Sequence, residues 1–440
     1  MKIKNIHNAF TVIEDDNNKI IFDPWISDGI FDGSWGIFPP VNNIEKYLEN
    51  VTHCFISHIH EDHFDLKAIK LLDTHTQFLI PDIYPNHVIK ETLNNLNFSN
   101  VHKLKPLESY EIDYGLQLKV IPPLNAGGLE TLDDNYDGDL GFLSVDAGVM
   151  IENDDAKVVL LSDNGPYDVS DEILKEIKNC DLIAFPFNGV ADDYPVCFDN
   201  LTFEEKRKKS LLRQEKRTLL QTKSLAKIKP KYLMPYSSDM VIMGKRAMDF
   251  IDTHPIEYIE RDRVCKIYYD ITKITCLSVS ESDEIKIKNN NLTFIKGNNE
   301  KIDWKKYGFL KYNQDKNDKI IYTPYEHLAD LFYSFVDATQ RMFKMMDKLN
   351  IKSDWWLSIY LTDVNVWFYV NLKTRGTVLS YQRMNYKKEQ VLKIHSEYFN
   401  SHLLFKHHWN NSIISYNLDW ERTDDVFDYG LNKALNFLHV

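Results

Sequence analysis

Two short apolar runs open the chain, Phe10-Thr11-Val12-Ile13 and Lys19-Ile20-Ile21-Phe22, separated by Asp15-Asp16-Asn17-Asn18. Apolar, largely β-branched runs on either side of an Asp/Asn cluster predict a hairpin. Asp23-Pro24-Trp25 ends its second strand, and a loop rich in Gly, Trp and Pro follows from Gly29 to Pro40. That loop suits either the wall of a cleft or a packed Ω-like excursion. Residues 78–81, 116–121, 142–151, 158–163, 180–187 and 232–236 read as strands, several of them near-continuous apolar runs of the kind buried on both faces. Residues 66–72 and 88–93 read as short helices. A long helix is expected over 204–228, where Leu211, Leu212, Leu219, Leu220 and Leu225 recur at helical spacing until Lys229-Pro230 stops it. Strands alternating with helices predict an α/β sandwich.

The pattern changes near residue 280. The segment 281–320 is dense in Asn, Asp and Lys and reads as a linker or domain edge. Beyond it, residues 325–349 form an amphipathic helix through Leu328, Leu331, Phe332, Phe335 and Met342. Residues 354–381 are strand-rich, with alternation in Trp356-Leu357-Ser358-Ile359-Tyr360, and 425–438 look helical. The expected organisation is a metal-binding catalytic domain over 1–280 and an α+β accessory domain over 321–440, serving as substrate platform, lid or dimer interface.

Composition narrows the function. A hydrophobic fraction of 43% says globular, and a net charge of −13 argues against nucleic acid, which is bound through Lys and Arg. The basic stretch within 204–217 reads as a solvated helix face. Five scattered cysteines, Cys54, Cys180, Cys197, Cys265 and Cys276, form no CxxC pair and suit buried thiols in a reducing cytoplasm. No signal-like or membrane-spanning apolar run is evident, so a soluble cytoplasmic protein is expected.

The chemistry concentrates in Ser57-His58-Ile59-His60-Glu61-Asp62-His63, directly after the apolar run 51–56. Imidazole nitrogen and carboxylate oxygen are the usual ligands of Zn²⁺ and non-haem Fe. A tight loop leaving a strand can aim His58 and His60 at one ion, and Asp62 and His63 at a second beside it. The bland alternative is a His-rich surface loop, but 15 histidines in 440 residues rarely cluster this way. Asp163 ends a buried apolar strand, where an unpaired carboxylate would be costly. A turn or helix-cap Asp is its plainer reading. His407 and His408 form a second cluster, for which a structural or interface role is the simpler reading.

The His-x-His-x-Asp-His loop resembles the signature of the metallo-β-lactamase superfamily. The resemblance implies an αββα sandwich with metals at one edge, His58, His60, Asp62 and His63 as ligands, and Asp163 bridging two ions. It also implies two further histidines, yet Asn125 and Tyr236 stand where they would be. Asp134, Asp137 and Asp139 are candidate replacements, with Asn125, Tyr236 and His408 as further candidate ligands. Asp23-Pro24-Trp25-Ile26, the metal loop, Phe185-Pro186-Phe187-Asn188-Gly189 and the helix ending in Lys231-Tyr232-Leu233-Met234-Pro235-Tyr236 are similar to the lactamase-like part of the CMP-N-acetylneuraminate hydroxylase family. That similarity covers roughly residues 5–245.

The resemblance implies iron, O₂ and electrons. In that family electrons arrive through a Rieske domain with Cys-x-His and Cys-x-x-His ligands, and no cysteine here has that spacing. An external electron donor or the substrate itself would have to supply them. The leading expectation is an iron-dependent oxygenase, with one or two ions, acting on a small polar metabolite of nucleotide-sugar or amino-acid type. Trp25, Trp35 and Asn188 are the expected substrate-side residues, and a homodimer is a further expectation. The competing expectation is a zinc hydrolase of an ester, lactone, amide or phosphodiester, with Asp62 or Asp163 as general base.

Overall fold

The computed structural model describes residues 1–83, 86–113, 115–124, 146–187, 197–243, 260–298, 302–313, 320–423, 426 and 428–440. The first half is an αββα sandwich. One sheet has eight strands, in the order Asn291–Ile295, Glu284–Lys288, Lys2–His7, Phe10–Asp15, Asn18–Phe22, His53–Phe55, Gln77–Pro81 and Val101–Leu104. The other has seven, in the order Thr275–Cys276, Tyr232–Tyr236, Leu182–Pro186, Lys157–Leu160, Gly148–Glu152, Leu116–Ile121 and Ser109–Asp113. Each sheet is parallel on one side and antiparallel on the other.

Strand periodicity builds the layers. Ile20, Phe22, Phe55 and Leu79 face Val158, Leu160, Leu182 and Ala184 across the middle of the sandwich. Their neighbours Ile21, Cys54, Phe78 and Ile80 point the other way, under the helices Leu66–Leu71 and His87–Asn95. Val159, Ile183 and Phe185 do the same beneath Asp171–Ile177, Phe203–Ile228 and Arg261–Thr272. Burying both faces explains the near-continuous apolar runs. Each such Leu, Ile or Phe contributes about 1.5–3 kcal/mol by leaving water.

The hairpin, the short helices and the buried strands fall where periodicity placed them. Of the expected strand 142–151, residues 142–145 lie outside the described residues and Gly148–Glu152 forms the strand. The helix Phe203–Ile228 begins at a Thr202/Glu205 capping box and ends at left-handed Lys229. Of its leucine stripe, however, only Leu225 is fully buried. Leu211, Leu212 and Leu219 are exposed, while Gln214, Thr218, Gln221 and Ser224 are buried. The reason is local hydrogen bonding: Gln221 donates to the Pro186 carbonyl at 2.7 Å and Ser224 to the Tyr167 carbonyl at 3.0 Å.

The segment expected as linker or domain edge begins with the hairpin Glu284–Lys288 and Asn291–Ile295, which pairs with Lys2–His7 at the edge of the first sheet. After it, the helix Leu328–Lys348 packs on a five-stranded sheet ordered Thr377–Ser380, Val366–Asn371, Trp356–Leu361, Glu389–Ile394 and Asp419–Arg422. The short helices Ser396–Leu403, Trp409–Ile414 and Tyr429–Leu435 complete this α+β module.

One apolar cluster runs from this module into the sandwich, joining Phe335, Phe368, Trp409 and Trp420 to Trp25, Phe31, Trp35 and Met240. Of the two readings of the loop 29–40, cleft wall or packed excursion, the structure gives the packed one. Its Trp35–Ile37 segment pairs with Met240–Ile242, and the Trp35 indole donates to the Ile414 carbonyl at 3.1 Å. Among the described residues no helix is long and apolar enough to cross a membrane. Cys54, Cys180, Cys197 and Cys265 are buried free thiols, and Cys276 is half-buried.

His402 gives this module a pH signature. Its imidazole is enclosed between the Tyr398 carbonyl at 2.8 Å and the Ser412 hydroxyl at 2.6 Å, and burial lowers its pKa to about 3. The unfolded chain takes up a proton near pH 6.5 that the folded ring refuses. Stability from this group is complete above about 6.5 and falls as pH drops toward about 3, by at most about 1.4 kcal/mol per pH unit. In urea titrations between pH 7 and pH 4.5, His402→Gln should therefore show a shallower acid loss than the native chain. Parallel slopes would refute the assignment.

Candidate metal centre

The site sits where strands of both sheets end. Asp23 follows the Asn18–Phe22 strand, Ser57 follows His53–Phe55, and Ser162 and Asp163 follow Lys157–Leu160. Asp23, Ser162 and Ser237 all adopt left-handed backbone, with φ of 45°, 54° and 53°. Such conformations are uncommon for non-glycine residues and cluster at functional sites. Here they turn polar side chains off the strand ends into one cleft.

The hydrogen bonds set each imidazole. Asp23 Oδ2 accepts from the Ser57 and Ser162 hydroxyls, each at 2.8 Å, and lies 3.0 Å from His63 Nδ1. Asp23 Oδ1 accepts the Ser57 amide at 2.7 Å. The Ser57 hydroxyl, its proton committed to Asp23, accepts from His58 Nδ1 at 2.9 Å. Both rings therefore carry a proton on Nδ1 and turn Nε2 inward. His58 Nε2 lies 2.8 Å from His60 Nδ1 and 3.6 Å from Asp146 Oδ1. His63 Nε2 lies 3.1 Å from Asp62 Oδ2 and 3.2 Å from Asp163 Oδ2. Asp62 is fixed by Asn8 Nδ2 at 3.1 Å, and Asp163 by the Ser237 hydroxyl.

Charge follows geometry. Burial, reinforced by the neighbouring His63 and His60, holds the His58 pKa well below the usual imidazole value. Burial lowers His60 as well. For His63 burial acts in the same direction, but Asp62, Asp163 and Asp23 together outweigh it and raise the pKa well above normal. Burial would raise Asp163, yet His63 and the Ser237 hydroxyl bring it below the ordinary value. A nitrogen facing two carboxylates calls for a cation between them, either a proton or a metal ion.

Among the described residues, two groups have ligand atoms within 4.8 Å of one another: His58, His60 and Asp146, and His58, His63 and Asp163. The donor set fits a metal, because inward nitrogens and carboxylate oxygens converge while the outer nitrogens are anchored, the usual outer-sphere arrangement. His58, His60, Asp62, His63 and Asp163 are thus brought together. Asn125, Asp134, Asp137, Asp139 and Asn188 lie outside the described residues.

Other expectations are corrected. The Tyr236 hydroxyl accepts the Ser162 amide beneath the site, and burial raises its pKa well above the usual phenol value, so it supports the Ser162–Asp163 turn and falls outside both ligand groups. His408 caps the Trp409–Ile414 helix, its Nδ1 accepting from the Asn410 amide at 3.2 Å, and joins neither ligand group. Trp25 and Trp35 are core residues rather than cleft lining, because each indole N–H is satisfied by a backbone carbonyl, of Ser27 and Ile414.

Sequence reasoning missed Asp23, Asp146, Ser57, Ser162 and Ser237. A signal for Asp23 existed, since it ends an apolar strand just as Asp163 does. Asp146 adjoins Gly148, which pairs with Ile121 at the sheet end where a further ligand was sought at Asn125.

Residues 18–224 match the family model of the beta-lactamase superfamily domain. A Mycolicibacterium smegmatis protein that bears the name of a Rieske 2Fe-2S iron-sulfur protein is 26% identical over 205 residues, 45% of this chain and 36% of that protein. Cytidine monophosphate-N-acetylneuraminic acid hydroxylase of Sus scrofa is 23% identical over 262 residues, 56% of this chain and 52% of the hydroxylase. The matches thus span between about a third and about half of these relatives' lengths. Isothiocyanate hydrolase from Delia radicum gut bacteria superposes with a TM-score of 0.41 at 13% identity, over 66% of this chain and all of that one.

Asp23→Asn keeps the shape of the Asp23 side chain but removes the charge that anchors His63 and both serines. It should weaken divalent-metal binding by about 10- to 100-fold in a chelator competition. Unchanged affinity would show that Asp23 does not support the centre.

Proposed function

Residues 18–224 belong to the metallo-β-lactamase superfamily, and from that premise we propose that the chain is an iron-dependent oxygenase acting on a small polar metabolite. The observation that carries this reading is the convergence of His58, His60 and Asp146. Two imidazoles and one carboxylate, with the remaining positions open, form the donor set that suits non-haem Fe(II). Iron bound there supplies O₂ activation. His63, Asp62 and Asp163 would hold a second ion beside it, with Asp163 kept ionised by His63 and Ser237.

The chain's own residues account for the rest. Ser57, Asp23 and Ser162 hold the outer Nδ1 atoms of His58 and His63 and so orient their inward nitrogens. Phe31 stands edge-on to His60 with ring centres 6.2 Å apart and shields that flank from water. The Phe31 amide donates to Glu61 of the metal loop at 2.9 Å, holding the aromatic wall against the ligands. The sequence match to a hydroxylase of a nucleotide sugar supports a metabolite of that type, or one of amino-acid type, as substrate. Electrons from a separate donor or from the substrate itself complete the proposal.

Elemental analysis and Mössbauer spectroscopy of protein expressed in iron-supplemented cells, before and after O₂, test the reading. One or two irons per chain and a spectrum altered by O₂ are expected, with Asp146→Ala losing iron and O₂ consumption together. Stoichiometric zinc after iron-supplemented expression, with ester or phosphodiester hydrolysis and no O₂ uptake, would replace the oxygenase by a metallo-hydrolase.

A further inference from the structure

His60 differs from the other two imidazoles in where its outer nitrogen is anchored. His58 and His63 are held by Ser57 and Asp23, which belong to the sandwich. The His60 Nε2 instead lies 2.7 Å from the atom placed as Asn410 Nδ2, 350 residues downstream in the C-terminal module; an amide turned end for end puts Oδ1 there. Its inner Nδ1 faces His58 Nε2 at 2.8 Å, beside Asp146.

Proton accounting decides what that contact does. A neutral imidazole carries one proton, and a nitrogen that ligates a metal must be free of it. If Nδ1 is the ligand, the proton resides on Nε2, which then needs an acceptor. An asparagine offers one only by presenting its carbonyl oxygen, and the two ends of an amide are interchangeable in shape, so the network sets its orientation. With the Asn410 Oδ1 turned toward His60, the Nε2 proton is received and Nδ1 is released for a metal. With the NH₂ turned inward, the proton would be forced onto Nδ1 and the ligand lost.

We infer that Asn410 is the positioning residue that fixes the tautomer of His60, so that the C-terminal module completes the metal centre. The inference rests on the metal-centre reading above.

The surroundings hold Asn410 in place for this role. It is the second residue of the Trp409–Ile414 helix, whose Trp409 is buried and donates to the Leu438 carbonyl at 2.8 Å. The next residue, Asn411, donates to Glu61 at 3.0 Å, and Glu61 separates His60 from Asp62 in the metal loop. At the far end of the helix, the Ile414 carbonyl receives the Trp35 indole. On the adjoining loop, Asp32 accepts from Tyr398 at 2.8 Å and pairs with His407 Nδ1 at 3.0 Å. These ties fix the helix against the ligand loop at both ends. Two of them, Asn411 and Asp32 with its partners, are polar groups that a packing interface alone would not require.

The full chain tests this with Asn410→Ala and Asn410→Asp. Each variant is read by Co²⁺ affinity in a chelator competition, by the visible ligand-field spectrum of the Co²⁺ form, and by the melting temperature of the metal-free protein. Asn410→Ala should weaken Co²⁺ binding about 10-fold or more and change the spectrum, with little change in the metal-free melt. Asn410→Asp, which can only accept from Nε2–H, should restore affinity and spectrum.

Native affinity and spectrum in Asn410→Ala would overturn the inference while leaving the metal centre standing. So would an Asn410→Asp variant as impaired as Asn410→Ala. A native chain that binds no divalent ion would instead sink the metal-centre reading, and this inference with it.

Discussion

The carboxylate of Asp23 is the constraint on which the site depends. It lies at the end of a first-sheet strand and accepts hydroxyls from Ser57, on the same sheet, and Ser162, on the other. One buried acceptor thus joins the two halves of the sandwich at the edge where the ligands emerge. A carboxylate removed from water is tolerated when donors surround it, and the full set here is Ser57, its amide, Ser162 and His63. Those donors are also what orient the imidazoles, so the burial of Asp23 and the readiness of the site are one problem with one solution. Left-handed backbone at Asp23 and Ser162 is the local strain that this arrangement compensates.

The second organising feature is the contact between the two halves of the chain. The Gly/Trp/Pro loop contributes Trp25, Phe31 and Trp35 to the same apolar cluster as Phe335, Phe368 and Trp420. Interfaces between loosely joined domains are usually more polar and smaller. An apolar seam lined by several tryptophans, with the metal loop at its rim, makes relative motion of the halves costly. The C-terminal module is accordingly better regarded as part of the active structure than as an appendage, and its placement over Glu61 and His60 follows from this seam.

Much of this was legible in the sequence. Apolar runs gave the inner strands of both sheets though not Lys2–His7 or the edge strands, and the His58-to-His63 spacing gave the ligand loop, because those signals are local. What escaped was non-local or polar. Asp146 joins the site through strand pairing across a long connection. The Leu211, Leu212 and Leu219 stripe misdirected the helix face, because Gln221 and Ser224 satisfy buried backbone carbonyls that no apolar side chain could. Trp25 and Trp35 looked like cleft residues because indoles often line pockets. Their N–H groups find carbonyls at the seam, which only the fold reveals.

Charge supplies the last step. Four carboxyl groups, Asp23, Asp62, Asp146 and Asp163, converge on three imidazoles, of which only His63 is driven toward protonation. His58 is held neutral by burial, and Ser57 and Asn410 contribute hydrogen bonds but no charge. A single proton on His63 leaves the cluster short of positive charge, in a place where Asp23 and Asp62 are largely removed from water. Desolvated carboxylates of this number persist only when paired or bound to a cation. A divalent ion at the inward nitrogens would displace the His63 proton and supply the missing charge, drawing on the same ligands that the hydrogen-bond network already orients. The electrostatic deficit and the orientation of the nitrogens therefore point independently to a metal.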